Sequence, residues 1–307
     1  MKKFFEEYGA VAIIVIVIAV LLLIVGSVKG LDEDTGKVNG SSVASMVGNK
    51  FSESIGKFQK SFMDVGVAKG PNGETLISKD ESQVGKYADI DGDGTVDGII
   101  FADLMIGGNG ECGPNGYGKY TIPTISDCKD YYVSQESYTN KLGGTAEVLS
   151  PTGSGNSRFY IMALSNIDSN YHDWYNAAYG KMSDYASVTS QDFGKGKSNT
   201  ATMISKWNAK AYGEQNTCSS GHTDMWGEIQ TQANNGWFVP SRAEWAAFVK
   251  NLGITNSNYS SKGLSHYYWS SSQYNTGSAY YACVSKSFIR DDYVSDGNLW
   301  VRLAATF

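Results

Sequence analysis

Asp89-Ile90-Asp91-Gly92-Asp93-Gly94-Thr95-Val96-Asp97 is the stretch of this chain whose residue types and spacing best suit a chemical task. Carboxylates at alternate positions converge on one hard cation, and a glycine behind the third acid permits the sharp turn that convergence needs. The chemistry implied is calcium ligation by Asp89, Asp91, Asp93, Thr95 and Asp97, with a structural role for the ion and Asp103 as a candidate further ligand. A complete EF-hand would carry a bidentate acid at its twelfth position, where Ile100 stands here. The following Ile99-Ile100-Phe101-Ala102-Asp103-Leu104 reads as a buried strand rather than an exiting helix. The competing reading is an acidic turn that binds no metal.

Other chemistries find less support. Cys112, Cys128, Cys218 and Cys283 show no CxxC spacing and no clustered histidines, which argues against zinc. Cys112 and Cys128 bracket a Gly/Pro-rich loop and are a candidate disulfide in an oxidising compartment. His172, His222 and His266 are widely spaced, as packing or surface histidines are. Gly153-Ser154-Gly155 opens no predicted helix, so it reads as a turn and not a phosphate loop. With no nucleophile–base constellation, an enzyme is not expected. A net charge of −6 without a Lys/Arg-rich run argues against nucleic acid as a partner.

The elements that must position these residues follow from patterning. Residues 1–8 read as a short leader or cytoplasmic tip, and residues 9–28 are a run of twenty without a charge. A helix of that length rises about 30 Å, enough for a bilayer core. Lys2 and Lys3 precede it and Asp32, Glu33 and Asp34 follow, which predicts an anchored chain with its bulk at the cell surface. Val25-Gly26-Ser27 would be the cleavage site if the run were instead a signal peptide. Val43, Met46, Val47, Phe51, Ile55, Phe58 and Phe62 extend an amphipathic helix over the rest of 9–65. Residues 66–80 read as a linker, and 81–307 as the globular domain.

Within that domain short apolar runs, Arg158-Phe159-Tyr160-Ile161-Met162-Ala163-Leu164 and Ala201-Thr202-Met203-Ile204-Ser205-Lys206-Trp207, alternate with Gly/Ser/Asn turns. Ser241 followed by Glu244 is a capping box, and Trp245, Phe248, Val249 and Leu252 give the helix its apolar face before Gly253 ends it. One helix, short strands and long loops predict an α+β class. Charged residues are 18%, below the usual quarter, while Gly, Ser, Asn and Tyr abound, as they do in adaptable binding surfaces.

The C-terminal segment, about 268–307, has apolar-anchored ends, Tyr268-Trp269-Ser270-Ser271-Ser272-Gln273-Tyr274 and Val301-Arg302-Leu303-Ala304-Ala305-Thr306-Phe307. Between them Ile289-Arg290-Asp291-Asp292-Tyr293-Val294-Ser295-Asp296-Gly297-Asn298-Leu299 follows neither a strand nor a helix period. Every residue of that stretch is one an NNC codon encodes. Together with Gly236-Trp237-Phe238-Val239-Pro240-Ser241-Arg242-Ala243-Glu244-Trp245, it resembles the variable region of diversity-generating retroelement target proteins, in which template adenines are miscopied. The resemblance implies a C-type-lectin-like fold, related to that of the formylglycine-generating enzyme, on a frame held by Trp237, Trp245 and Trp269. It implies a diversified binding face on Asn275, Ser278, Tyr281, Cys283, Ser285, Ile289, Arg290, Asp291, Asp292, Tyr293, Val294, Ser295, Asp296 and Asn298. Cys283 then either pairs with Cys218 or is a product of diversification. The expected partner is a protein or glycan on another cell or a phage.

Glu6-Glu7-Tyr8-Gly9-Ala10 before the apolar run resembles the start of Flp-type pilins of tight-adherence pili. That likeness implies filament assembly through Glu7 and Tyr8, a homo-oligomeric pilus, and a long N-terminal hydrophobic helix. A plain signal anchor with Glu7 solvated is the alternative. Two functions are therefore expected: a membrane-anchored or pilus-borne adhesin with a diversified face, or a structural pilin bearing a domain of fixed specificity.

Overall fold

The computed structural model describes residues 68–214, 221–295 and 299–307. They belong to a compact unit, Ala68–Phe307, and a separate unit, Met1–Val67, precedes it. Strands dominate. β1 (Tyr87–Ala88), β2 (Gly98–Asp103), β5 (Asp130–Asn140), β6 (Gly144–Thr152), β7 (Phe159–Ala163) and β13 (Ala304–Thr306) form a six-stranded sheet in the order β13-β7-β2-β1-β6-β5. A three-stranded antiparallel sheet joins β10 (Tyr267–Gln273), β11 (Ser278–Cys283) and β12 (Phe288–Tyr293). Two short ribbons, β3 (Gly108–Glu111) with β4 (Lys119–Ile122) and β8 (His172–Asp173) with β9 (Thr223–Asp224), complete the strands. The longer helices are α1 (Gly196–Asn208) and α2 (Arg242–Asn251).

Alternation along strands decides which core each residue joins, because side chains one apart point to opposite faces. On β2 and β7, Ile99, Phe101 and Met162 enter a cluster with Trp245 and Phe248 of α2 and with Tyr268, Tyr280, Ala282 and Ile289. Ile100, Phe159 and Ile161 enter the opposite cluster with Tyr131, Leu149 and Phe307. On β11, Ala279, Tyr281 and Cys283 face a third cluster with Trp174, Trp226, Trp269 and Met203. The three-stranded sheet is thus covered on both faces, and every residue of β11 is buried. Indole N–H groups tie β10 into this frame: Trp174 Nε1 donates to Ser270 O (2.7 Å), Trp245 Nε1 to Trp269 O (3.0 Å) and Trp269 Nε1 to His172 O (2.8 Å). Trp237, expected with Trp245 and Trp269 as a buried scaffold residue, is only half-buried.

Several expectations need correction. The mostly β architecture with few helices replaces the α+β class expected, and a C-type-lectin-like fold is not shown. No helix among the described residues is long and apolar enough to cross a membrane, so the transmembrane anchor and the anchored cell-surface localisation are not supported. The apolar run 9–28, the amphipathic extension to residue 65, and Glu7 and Tyr8 lie outside the described residues. The short apolar run 201–207 is the body of α1, a helix in addition to the one that the capping box predicts. Residues 68–80 are integrated with the domain: Ile77 N donates to Tyr131 O (2.8 Å), and Arg158 donates to the carbonyls of Ser78, Lys79 and Glu81.

Candidate functional site

The acidic loop is the connection of an antiparallel hairpin, closed where Asp97 N donates to Ala88 O (2.8 Å). Asp89 sits at its buried end, and its carboxylate organises the turn. Oδ1 accepts from Gly92 N (2.8 Å) and Asp93 N (3.2 Å), while Oδ2 accepts from Gly94 N (3.0 Å) and Ser150 Oγ (3.1 Å). Gly92 and Gly94 adopt φ of +75° and +90°, a region costly to residues with a Cβ. This curl brings ligand oxygens of Asp89, Asp91 and Asp97 within 4.8 Å of one another. Burial, then the negative charge of Asp91, Asp89 and Asp93, raises the Asp97 carboxyl above its usual range, although Ile90 N donates to it. A divalent cation would relieve that repulsion, and oxygen donors of this kind suit calcium.

Three of the four expected carboxylate ligands are therefore brought together. Asp93 Oδ1 instead accepts from Thr95 N (2.7 Å), and Asp93 does not join the converging carboxylates. Asp103, the expected extra ligand, is committed elsewhere. It forms a buried two-pronged ion pair with Arg158 (Nε–Oδ1 2.8 Å, Nη2–Oδ2 2.9 Å) and accepts from Gln83 N (3.1 Å). Ser150 carries no local sequence signal, being placed by the neighbouring β6, and it in turn contacts Ser134 Oγ at 2.8 Å.

The C-terminal face divides the expected contact residues by burial. Ser278, Tyr281, Cys283, Ser285, Ile289 and Val294 are buried and cannot present side chains to a partner; this corrects the expectation for them. Burial pushes the Tyr281 hydroxyl up to about 12. Arg290 is exposed, Tyr293 is 56% exposed, and Asn275, Asp291, Asp292 and Ser295 are half-buried. Asp296 and Asn298 lie outside the described residues. Strand β12 carries these groups in register with β11, Tyr281 opposite Arg290 and Ser278 opposite Tyr293. Asn275 shapes the β10–β11 turn by accepting from Gly277 N (2.8 Å).

A residue missed by sequence reasoning completes the face. Tyr179, 54% exposed, meets the Tyr293 ring edge-on at 5.1 Å between centroids. The segment carrying it packs on the β10–β11 turn through Met182 N to Thr276 O (3.0 Å), and Val294 O accepts from Trp174 N and Tyr175 N. Only tertiary structure joins positions so distant in sequence.

The expected Cys112–Cys128 disulfide is not formed. Both thiols are free and buried, in clusters on opposite faces of the six-stranded sheet. Cys283 is also free and buried, and Cys218 lies outside the described residues. Burial pushes the Cys112 thiol up to about 12, and its Sγ contacts Ser287 O at 3.0 Å. No family model, no curated protein and no solved structure matches the chain.

Proposed function

We propose that the chain is a ligand-binding protein whose C-terminal segment, residues 268–307, is a retroelement-diversified recognition element. The single observation that carries this reading is the exposed Tyr293–Tyr179 pair, whose Tyr293 ends the strand that also exposes Arg290. Aromatic and arginine side chains supply much of the contact energy at interfaces, and exposed tyrosines do so at low entropy cost. Arg290, Asp291 and Asp292 add charge that selects a partner, and Asn275 and Ser295 add neutral hydrogen-bonding groups. The frame beneath supports the reading because β11 is locked on both faces, so exchange of Arg290 or Tyr293 leaves the scaffold's packing intact. The partner class is a protein or glycan.

The test is to sequence the locus for a reverse transcriptase and a near-copy of the segment encoding residues 268–307. A near-copy differing at adenines in the codons of Asn275, Arg290 and Tyr293 is the expected result. Absence of a near-copy, or adenines concentrated in the codons of buried residues such as Ile289 and Cys283, would sink the proposal.

The acidic loop is assigned a supporting role, a structural calcium site held by Asp89, Asp91 and Asp97. Their convergence within 4.8 Å is its support. Calcium there would fix the β1–β2 hairpin of the six-stranded sheet.

A further inference from the structure

Two arginines are almost wholly buried in this fold, and they are treated differently. Arg158 has its charge answered from within the chain, by the Asp103 carboxylate and by three carbonyls. Arg302 is 2% exposed and, among the described residues, makes no ion pair. Its Nε donates to Asn166 Oδ1 (3.0 Å), and Nη2 makes a long contact to Gly263 O (3.4 Å). Its guanidinium lies 5.6 Å from the centre of the Tyr268 ring, and Nη1 has no hydrogen-bond partner. A buried guanidinium with an unused donor and no counter-charge is costly unless something else supplies an acceptor.

Arg302 also lines, by what little of it is exposed, an open cavity of about 590 Å3. Lys141, which is exposed, and Lys262 also line it. Lys262 Nζ donates to Leu142 O (2.8 Å), and neither lysine is ion-paired among the described residues. The single acid of the lining, Asp168, is engaged by His172 Nε2 at 3.1 Å and by Asn170 N at 2.8 Å. Two lysines at the surface and the positive charge of Arg302 just beneath it therefore outnumber the one carboxylate of the lining, which is already hydrogen-bonded. Trp300, half-buried, gives the cavity an apolar wall, and its ring is held edge-on by Tyr171 at 5.0 Å.

We infer that this cavity binds a small molecule through an oxyanion, a carboxylate or a phosphate, placed by Arg302, Lys141 and Lys262, with its carbon skeleton against Trp300. A planar guanidinium and two ammonium groups recognise either oxyanion. The site shares no residue with the Tyr179–Tyr293 face and stands whether or not that face is diversified.

The test is calorimetric titration of the full chain with three ligands of one skeleton: glucose, glucuronate and glucose 6-phosphate. The expected result is that at least one charged ligand binds about tenfold or more tightly than glucose and weakens as salt rises. Which charged ligand binds identifies the oxyanion. Lys141→Glu, at an exposed position that leaves the fold intact, should weaken that binding by about tenfold. Arg302→Met should abolish it; because this variant risks misfolding, the Lys141 result decides. Glucose binding as tightly as both acids, no binding of either acid at roughly 10 mM, or an unchanged affinity in Lys141→Glu would each overturn the inference.

Discussion

Glu244 offers the sharpest test of how the frame beneath the recognition face is held. It closes the capping box of α2: Ser241 Oγ accepts from Glu244 N (3.2 Å), and Glu244 Oε2 accepts from Ser241 N (2.6 Å). Its other oxygen, Oε1, accepts from Gly194 N (3.0 Å) and Gly196 N (3.2 Å), pinning the start of α1 to the start of α2. Replacement by Ala leaves three backbone N–H groups without their acceptor. At about 1–3 kcal/mol for each buried donor left unpaired, the loss sums to about 3–9 kcal/mol, and water entering the vacated space should hold it to about 3–5 kcal/mol. Burial also pushes the Glu244 carboxyl up to about 7, against the pull of these donors. The folded state then holds this proton more tightly than the unfolded chain, whose value is near 4.5. The stabilisation is therefore complete below the unfolded value and is lost as pH rises towards 7, by at most about 3.4 kcal/mol at about 1.36 kcal/mol per pH unit. Urea unfolding of wild type, Glu244→Ala and Glu244→Gln at pH 5 and pH 7.5 checks both claims. Glu244→Gln keeps the two glycine bonds and should cost less than Ala, while removing this group's pH dependence. A Glu244→Ala loss below about 1 kcal/mol would refute the three-donor account. An unchanged pH slope in Glu244→Gln would refute the protonation account.

Calcium at about a hundred times its dissociation constant should raise the unfolding free energy by about 2.7 kcal/mol. Asp97→Asn should remove most of that gain, and because acid protonates the raised Asp97 carboxyl, calcium affinity should fall as pH is lowered; a midpoint identical in calcium and chelator would refute the site. Asp103→Ala strands the Arg158 charge and should cost about 3–5 kcal/mol. Because Arg158 also holds the carbonyls of Ser78, Lys79 and Glu81, that variant should be cleaved faster by protease in this segment. Cys112, buried and with its thiol pushed up to about 12, should resist iodoacetamide at pH 8 in the native protein, and reductant should leave the unfolding midpoint unchanged. Tyr293→Ala should change stability by less than about 0.5 kcal/mol, checked by the same urea titration, since more than half of the side chain is already in water.

What was legible in the sequence is what is local. The Ser241–Glu244 box lies within one turn of helix, and the acidic loop within one hairpin, so residue type and spacing carry both. Glu244's bonds to Gly194 and Gly196 span about fifty residues and have no local signature. The run around 201–207 did carry its period, since Thr200, Met203, Ile204 and Trp207 fall on one helical face, all on the packed side of α1. Cys112 and Cys128 bracket a loop in sequence, yet the six-stranded sheet passes between the clusters they enter. Proximity along the chain says nothing of that separation.

The C-terminal stretch is the least legible part of the sequence, because its aperiodic pattern hides a strand. Residues 288–293 form the regular strand β12, in continuous register with β11. Its pattern is blurred because it is the last strand of the three-stranded sheet, where partial cover leaves Phe288, Asp291 and Asp292 half-buried while Ile289 alone is fully enclosed. β11, central and covered on both faces, reads Ser-Ala-Tyr-Tyr-Ala-Cys, and there the burial has no alternation to find. A strand at the rim of a two-faced layer thus combines positions that cannot vary with positions that can. Arg290 and Tyr293 meet solvent while Ile289 and Val294 beside them do not, and any diversification compatible with this fold must respect that division codon by codon.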